Sequence, residues 1–244
     1  MTLQWAAFGI TALFGLLRLP GAIRGENRGI CAALILMSFA MALSIPFFYL
    51  SVDSLLGGVN VANLLLRYSL FAVFLLLGAK TGAAFNAQGA QRLIRGPVGL
   101  AVLTGSSVLV AVLFFLSDLP ESSTGLEAYR GQTTVLAYSD AGRLYTAYIA
   151  GCLVPSLTAF SMDSQRRGDI RLSAGLIALG MASVVVHTLL SLTVWGLERG
   201  LWDILLNYAA VIVVALGLAL LWNSQRIAKR HPQPGLLARA YGSR

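Results

Sequence analysis

Long apolar stretches recur along the whole chain, and charged residues are confined almost entirely to the gaps between them. A helix that crosses the hydrocarbon core of a bilayer needs about 20 mostly apolar residues. Of the 244 residues 57% are hydrophobic and 11% are charged, whereas a soluble domain carries about a quarter charged residues. We therefore expect an all-α fold, a polytopic transmembrane helix bundle embedded in the lipid bilayer.

Seven stretches meet the length and hydrophobicity of a span. They cover roughly residues 3–17, 29–50, 63–79, 97–117, 141–161, 172–196 and 204–222. The loops between them are too short for a separate soluble domain. We accordingly divide the chain into a membrane domain, residues 1–222, and a basic cytoplasmic tail, residues 223–244.

Basic residues are distributed unequally between alternate gaps. Fourteen of the 18 Lys and Arg residues lie in the gaps after the first, third and fifth spans and after the last. Cytoplasmic loops of membrane proteins carry such an excess. We expect the amino terminus outside and the carboxyl terminus inside, in a multi-pass protein of the plasma membrane. The basic inner face is expected to attract anionic lipids rather than nucleic acid.

Six polar residues in or near the outer halves of the spans are candidate ligand contacts: Arg67, Arg143, Tyr145, Tyr148, His187 and Asn207. An ionisable group costs about 2.5 to 3.5 kcal/mol at the centre of a membrane helix, so each needs a partner or a task. The commoner roles are structural. Arginines extend to the headgroups, tyrosines anchor span ends, and histidine or asparagine bonds adjacent helices.

Small residues recur at intervals of four in two spans, which lets helix backbones approach closely. The two stripes are Ala7, Thr11 and Gly15, and Ala174, Ala178 and Ala182. They suit either packing inside the bundle or the face of a homodimer or another membrane protein partner. The sequence leaves both alternatives open.

The motifs of common enzyme and cofactor classes are missing from the sequence. It contains no Gly-x-Ser-x-Gly, no His-Glu-x-x-His and no glycine-rich phosphate loop. The last span has no lysine for a retinal Schiff base, and His187 is the only histidine within a span, so paired haem ligands are lacking. Cys31 and Cys152 lie in separate apolar stretches. We expect no enzymatic activity, no cofactor and no metal.

The arrangement of polar and small residues over 27–77 and around the fifth span has a counterpart in a known family. The residues concerned are Arg18, Arg24, Arg28, Pro46, Asp53, Leu56, Asn60, Ala62, Leu64, Leu65, Tyr138, Tyr145 and Tyr148. Together they resemble a poorly characterised actinobacterial family of seven-span integral membrane proteins, often described as transporters. The resemblance implies the seven-span fold and no defined substrate.

The topology and the basic inner face lead to one functional expectation. We expect a non-enzymatic integral membrane protein that binds a ligand, a lipid or a partner and acts as a sensor or signalling component. A small-molecule transporter is the first alternative, for which a polar path through the bundle is needed. A structural subunit of a membrane protein complex is the second.

Overall fold

The computed structural model describes residues 2–25, 28–193 and 201–230, without the side chains of 193, 201–207, 225 and 227–230. Over these ranges the structure is all-helical. A 3-10 helix, η1, covers Thr124–Tyr129. The α-helices are α1 (Thr2–Ile23), α2 (Arg28–Leu43), α3 (Pro46–Leu55), α4 (Val61–Ala84), α5 (Gln88–Arg95), α6 (Pro97–Leu116), α7 (Thr133–Met162), α8 (Gly168–Thr193) and α9 (Leu201–Arg230).

The helices have the length and hydrophobicity of membrane spans. Five of them, α1, α4, α6, α7 and α8, are long and apolar enough to cross a membrane, and the bent pair α2–α3 is a sixth when taken as one span. Helix α9 contains a shorter apolar segment, Tyr208–Ser224. The expectation of an all-α membrane protein is therefore confirmed, with five to six helices able to span.

The helix expected over residues 29–50 is broken. Helix α2 ends at Leu43, and α3 starts at Pro46 and runs at 93° to it. Proline has no backbone N–H and disfavours a helical residue before it, so it begins a helix more readily than it continues one. Ile45 is accordingly extended, with ψ of 125°, and Pro46 occupies the first turn of α3.

The loops contain more structure than the sequence suggested. The gap after the third expected span holds α5, in which Ala90 and Ile94 are buried and Arg92 and Arg95 are exposed. Helix α7, which corresponds to the fifth expected span, starts at Thr133, eight residues before the expected boundary. Helix α9 continues to Arg230, so the first part of the expected tail is helical, and residues 231–244 lie outside the described part of the chain.

Six helices form a closed ring in which each contacts the next, in the order α1, α2, α4, α7, α8, α9 and back to α1. Helix α6 lies outside the ring and packs on α4 and α7. The ring is tightly filled. A cavity of about 10 Å³ lies between α1, α2, α4 and α9, lined by apolar side chains and Thr11, which is about the space needed for one water molecule.

Glycines let neighbouring helices of the ring approach to backbone contact. A Cβ atom at Gly180 would lie 2.5 Å from Val214 Cγ2 and 2.9 Å from the carbonyl oxygen of Ala210. At the same α8–α9 contact, Ser173 Oγ donates to the carbonyl oxygen of Gly217 at 2.8 Å. These short approaches replace the hydrophobic driving force that lipid does not supply between helices.

Both small-residue stripes lie mainly inside the helix bundle. Five of their six members are buried, and the last, Ala182, is half-buried. Of the two uses that the sequence left open, close packing within the bundle is the one seen for these residues.

Replacing Gly180 with alanine is expected to destabilise the bundle by about 1 to 3 kcal/mol, because the new methyl group meets the α9 backbone. The matched control is Gly151→Ala in α7, where a Cβ meets nothing within 4 Å. Alanine there should be neutral or stabilising by about 0.5 to 1 kcal/mol. Unfolding by dodecyl sulfate in mixed micelles measures both, and equal effects would contradict the packing described.

Candidate functional site

Arg67 lies six residues after the start of α4, about 9 Å along the helix axis. Its side chain crosses the adjacent turn of α7 at Gly142. A Cβ atom at Gly142 would lie 2.8 Å from Arg67 Cδ and 3.0 Å from Arg67 Cζ, so glycine leaves the room that the Arg67 side chain occupies in this position. The guanidinium carbon is 5.4 Å from the ring centroid of Tyr138. Arg67 is therefore packed between helices, and its side chain is half-buried rather than extended to the headgroups.

The charge of Arg67 is not neutralised by a carboxylate within the described residues. The four ion pairs there join other arginines to Asp or Glu. Its Nε is buried and has no hydrogen-bond acceptor. Buried polar groups are hydrogen-bonded in the great majority of cases, so an unpaired cationic donor requires an explanation.

A second unpaired donor lies one turn further along α7. The side chain of Tyr145 is fully buried, its ring is 4.9 Å from that of Phe71, and its hydroxyl has no partner among the described residues. Tyr138, by contrast, donates from Oη to Asn63 Oδ1 at 2.9 Å. We call Asn63, Arg67, Tyr138, Gly142 and Tyr145 the α4–α7 site.

The α4–α7 site has the chemistry of an anion-binding site. It combines a guanidinium with a free donor and a phenol hydroxyl with no acceptor, in a setting largely removed from solvent. Charge-assisted hydrogen bonds from arginine to carboxylate or phosphate are about twice as strong as neutral ones, and burial strengthens them further. An oxyanion is the chemical class that accepts hydrogen bonds from both kinds of donor.

The amino-terminal end of α4 is capped by a buried carboxylate. Asp53, at the end of α3, is 0% exposed and accepts from the backbone N–H groups of Asn60 and Ala62, each at 2.9 Å. Ser122 Oγ, from the loop before η1, donates to the same carboxylate. Asp53 therefore neutralises the positive end of the α4 dipole and links α3, α4 and the loop before η1.

Asn60 forms hydrogen bonds that hold the 118–132 loop against the start of α4. Its backbone is left-handed, with φ of 65°, a conformation that asparagine tolerates better than most residues. Its Oδ1 accepts from Tyr49 Oη at 3.0 Å and from the Ser123 N–H at 2.7 Å. Its Nδ2 donates to the Glu121 carbonyl at 2.6 Å. Asn63, the first residue of the α4–α7 site along the chain, follows Asn60 in the first turn of α4.

Two of the expected ligand contacts form their hydrogen bonds and ion pairs outside the α4–α7 site. Arg143 forms an ion pair with Asp140 at 3.0 Å, with side chains 15% and 26% exposed. Tyr148 Oη donates to the carbonyl oxygen of Leu93 at 2.8 Å and so holds α5 against α7. Neither residue faces α4 with Gly142.

The last two expected contacts lie elsewhere. His187 is buried in α8 and has an interaction partner. Asn207 belongs to α9, but its side chain lies outside the described residues. Of the six candidates, the structure thus brings Arg67 and Tyr145 to the contact between α4 and α7. Among the described residues no group of three His, Cys, Asp or Glu side chains is arranged to hold a metal.

Sequence reasoning missed Asn63, Tyr138 and Gly142 as parts of the site. A signal was present in the spacing. Asn63 and Arg67 are four residues apart on α4, and Tyr138, Gly142 and Tyr145 follow at four and three residues on α7, so each set lies on one helix face.

Comparison with known proteins adds no relative: no family model, no curated protein and no solved structure matches the chain. The class rests on the fold, which is that of an all-helical membrane protein with five to six helices able to span.

The two tyrosines of the site are expected to respond in opposite ways to loss of the hydroxyl. Tyr138→Phe removes the bond to Asn63 and leaves a buried acceptor unpaired, which should cost about 1 to 3 kcal/mol. Tyr145→Phe removes a hydroxyl without a partner and should leave stability unchanged or raised. Unfolding of both variants without ligand tests this, and a larger loss in Tyr145→Phe would refute the assignment.

Removing the Asp53 carboxylate is expected to destabilise the contact of α3 and the 118–132 loop with the start of α4. Asp53→Ala leaves two backbone N–H groups without acceptors, at about 1 to 3 kcal/mol each. The control is the adjacent Ser54→Ala, since Ser54 is exposed and bonds only within its own helix. Protease cleavage in the 118–132 loop should accelerate in the Asp53 variant alone. Equal cleavage in both would argue against the cap.

Proposed function

We propose that this protein is a non-enzymatic, seven-span protein of the plasma membrane that binds a small anionic ligand at the α4–α7 site and signals through its cytoplasmic face. The observation that carries the proposal is the half-buried Arg67 guanidinium, whose Nε has no acceptor and which pairs with no carboxylate in the described part of the chain. An ionisable group within a span is by default a functional site.

Seven crossings are supported by the helices together with the charge pattern. Five long helices, the bent pair α2–α3 and the apolar part of α9 make seven segments that alternate in direction. In that scheme α4 and α7 both run from the outside toward the cytoplasm, so they are parallel. Their contacts agree, because Arg67 meets Gly142 near the start of both helices and Gly78 meets Ile149 further along. The excess of basic residues in alternate gaps then favours an external amino terminus.

A route for the signal follows from the contacts of α4 and α7 below the site. An anion drawn between Arg67 and Tyr145 would favour one relative position of the two helices over another, which is how a ligand shifts a conformational equilibrium. Helix α5 contacts both α4 and α7 and is bonded to Tyr148. A shift of the contact between α4 and α7 would therefore move the exposed Arg92 and Arg95 of α5.

The inner end of α7 is a second output surface. The helix ends at Met162, and Asp163 accepts from Arg166 Nε and from the Gln165 N–H, both at 3.0 Å. The hydrogen bond from Arg166 lowers the pKa of the Asp163 carboxyl below its usual value. Asp163 is therefore ionised at neutral pH, as its ion pair with Arg166 requires.

Ligand binding is tested by the thermal stability of the purified protein with a panel of small carboxylates and phosphates at constant ionic strength. At least one should raise the melting temperature of the wild type. Arg67→Gln should abolish the response and Tyr145→Phe should weaken it about 5- to 10-fold, the effect of about 1 to 1.5 kcal/mol for one hydrogen bond. The matched control, Tyr148→Phe, alters a tyrosine on another face of α7.

The proposal fails if no anion stabilises the wild type, or if Arg67→Gln and Tyr148→Phe respond alike. The same variants in proteoliposomes separate sensing from transport. Uptake of the stabilising anion that is lost in Arg67→Gln would make the protein a transporter that uses this site.

Topology is tested by cysteine labelling in a background with Cys31→Ala and Cys152→Ala. Glu127→Cys, with a side chain 70% exposed, should react with a membrane-impermeant maleimide on intact cells. Arg166→Cys, at 55% exposed, should react only after permeabilisation. Reaction of both positions from the same side would contradict the seven-span arrangement.

A further inference from the structure

Trp222, near the inner end of α9, has two arginines over its ring. The guanidinium carbon of Arg18 lies 5.4 Å from the ring centroid, and that of Arg226 lies 5.7 Å from it. Each contact is attractive by itself because the face of an indole is negative. Both guanidinium groups therefore contact the same indole ring.

Arg18 is held firmly and is only 7% exposed. Its Nη2 donates to the carbonyl oxygen of Leu218 at 2.6 Å, which ties α1 to α9. Arg226 is exposed. Neither forms an ion pair with a carboxylate in the part of the chain that the structure describes.

Other inner arginines differ in this respect. Arg166 is paired with Asp163 at 3.0 Å, and Arg167 is paired with Asp169 at 2.8 Å. These two arginines already have a carboxylate partner, whereas Arg18 and Arg226 contact one indole ring without one among the described residues. A bound anion would supply the missing negative charge at the α1–α9 end.

The surface next to Arg18 is apolar and faces outward from the bundle. Leu16, Leu19 and Ile23 of α1 are exposed, and in a helix that spans a bilayer such side chains contact lipid tails. Tryptophan favours the level of the headgroups. A molecule with a negative headgroup and hydrocarbon chains matches both the arginines and the surface beside them.

We propose that an anionic phospholipid binds at the inner ends of α1 and α9, with its phosphate between Arg18 and Arg226 beside Trp222 and its acyl chains along α1. The lipid links the two helices that close the ring. This site is at the opposite end of the membrane from the α4–α7 site and does not depend on the ligand proposed there.

Native mass spectrometry tests the proposal with protein reconstituted in equal amounts of phosphatidylglycerol and phosphatidylcholine. We expect one phosphatidylglycerol molecule to be retained selectively by the wild type. Arg226→Gln should reduce that selectivity about fivefold, the factor expected from about 1 kcal/mol for one charge at the surface. Arg226 is exposed, so the variant should keep the wild-type melting temperature.

The matched control is Arg24→Gln, which removes an exposed charge beyond the end of α1 without a contact to Trp222. It should retain the lipid as the wild type does. Equal losses in Arg24→Gln and Arg226→Gln would reduce the effect to the net charge of the inner face and overturn the proposal. Equal retention of the two lipids by the wild type would also overturn it, as would displacement of the lipid by millimolar glycerol phosphate, which would indicate a site for a soluble phosphate.

Discussion

The close approach of the Arg67 side chain to α7 at Gly142 is the constraint around which the amino-terminal parts of α4 and α7 are arranged. A charge placed inside a membrane helix has to be covered, and here α7 covers it with a glycine and the ring of Tyr138. The close approach sets the register of α4 against α7. From that register follow the hydrogen bond of Tyr138 to Asn63 and the position of Tyr145.

The loop from 118 to 132 and the ring of helices depend on the same register of α4 against α7. Asp53 caps α4 and, through Asn60 and Ser122, brings the loop from 118 to 132 down over the start of the helix. Further along, Gly78 allows Ile149 to sit against α4, and α5 is held at this level by Tyr148. A change at Arg67 therefore has contacts through which it can reach both membrane surfaces.

The sequence was sufficient for most of the long helices and for the small-residue stripes as packing faces, because hydrophobic period and small-residue spacing are local properties. It left open whether the stripes pack inside the bundle or against a partner. Pro46 was a local signal for the break after α2, but the prediction of one unbroken span over 29–50 did not use it. Partners distant in the chain were not predictable. The bond of Tyr148 to the Leu93 carbonyl depends on how α5 folds back, which no local pattern encodes.

The candidate site was half predictable for the same reason. Arg67 and Tyr145 stood out as polar groups in apolar helices, but their meeting at the contact between α4 and α7 depends on which helices are neighbours in the ring. Arg143 looked equivalent to Arg67 in the sequence. Its ion pair with Asp140, three residues earlier, separates the two physically, because a neutralised cation has no need of an external anion.

The most direct measurement is anomalous diffraction from crystals of the wild-type protein soaked in bromide, a small anion that reports its own position. The account predicts a bromide peak within hydrogen-bond distance of Arg67 Nε and close to Tyr145 Oη. A structure in which Arg67 instead bonds a carboxylate of the chain, with no peak between α4 and α7, would contradict it.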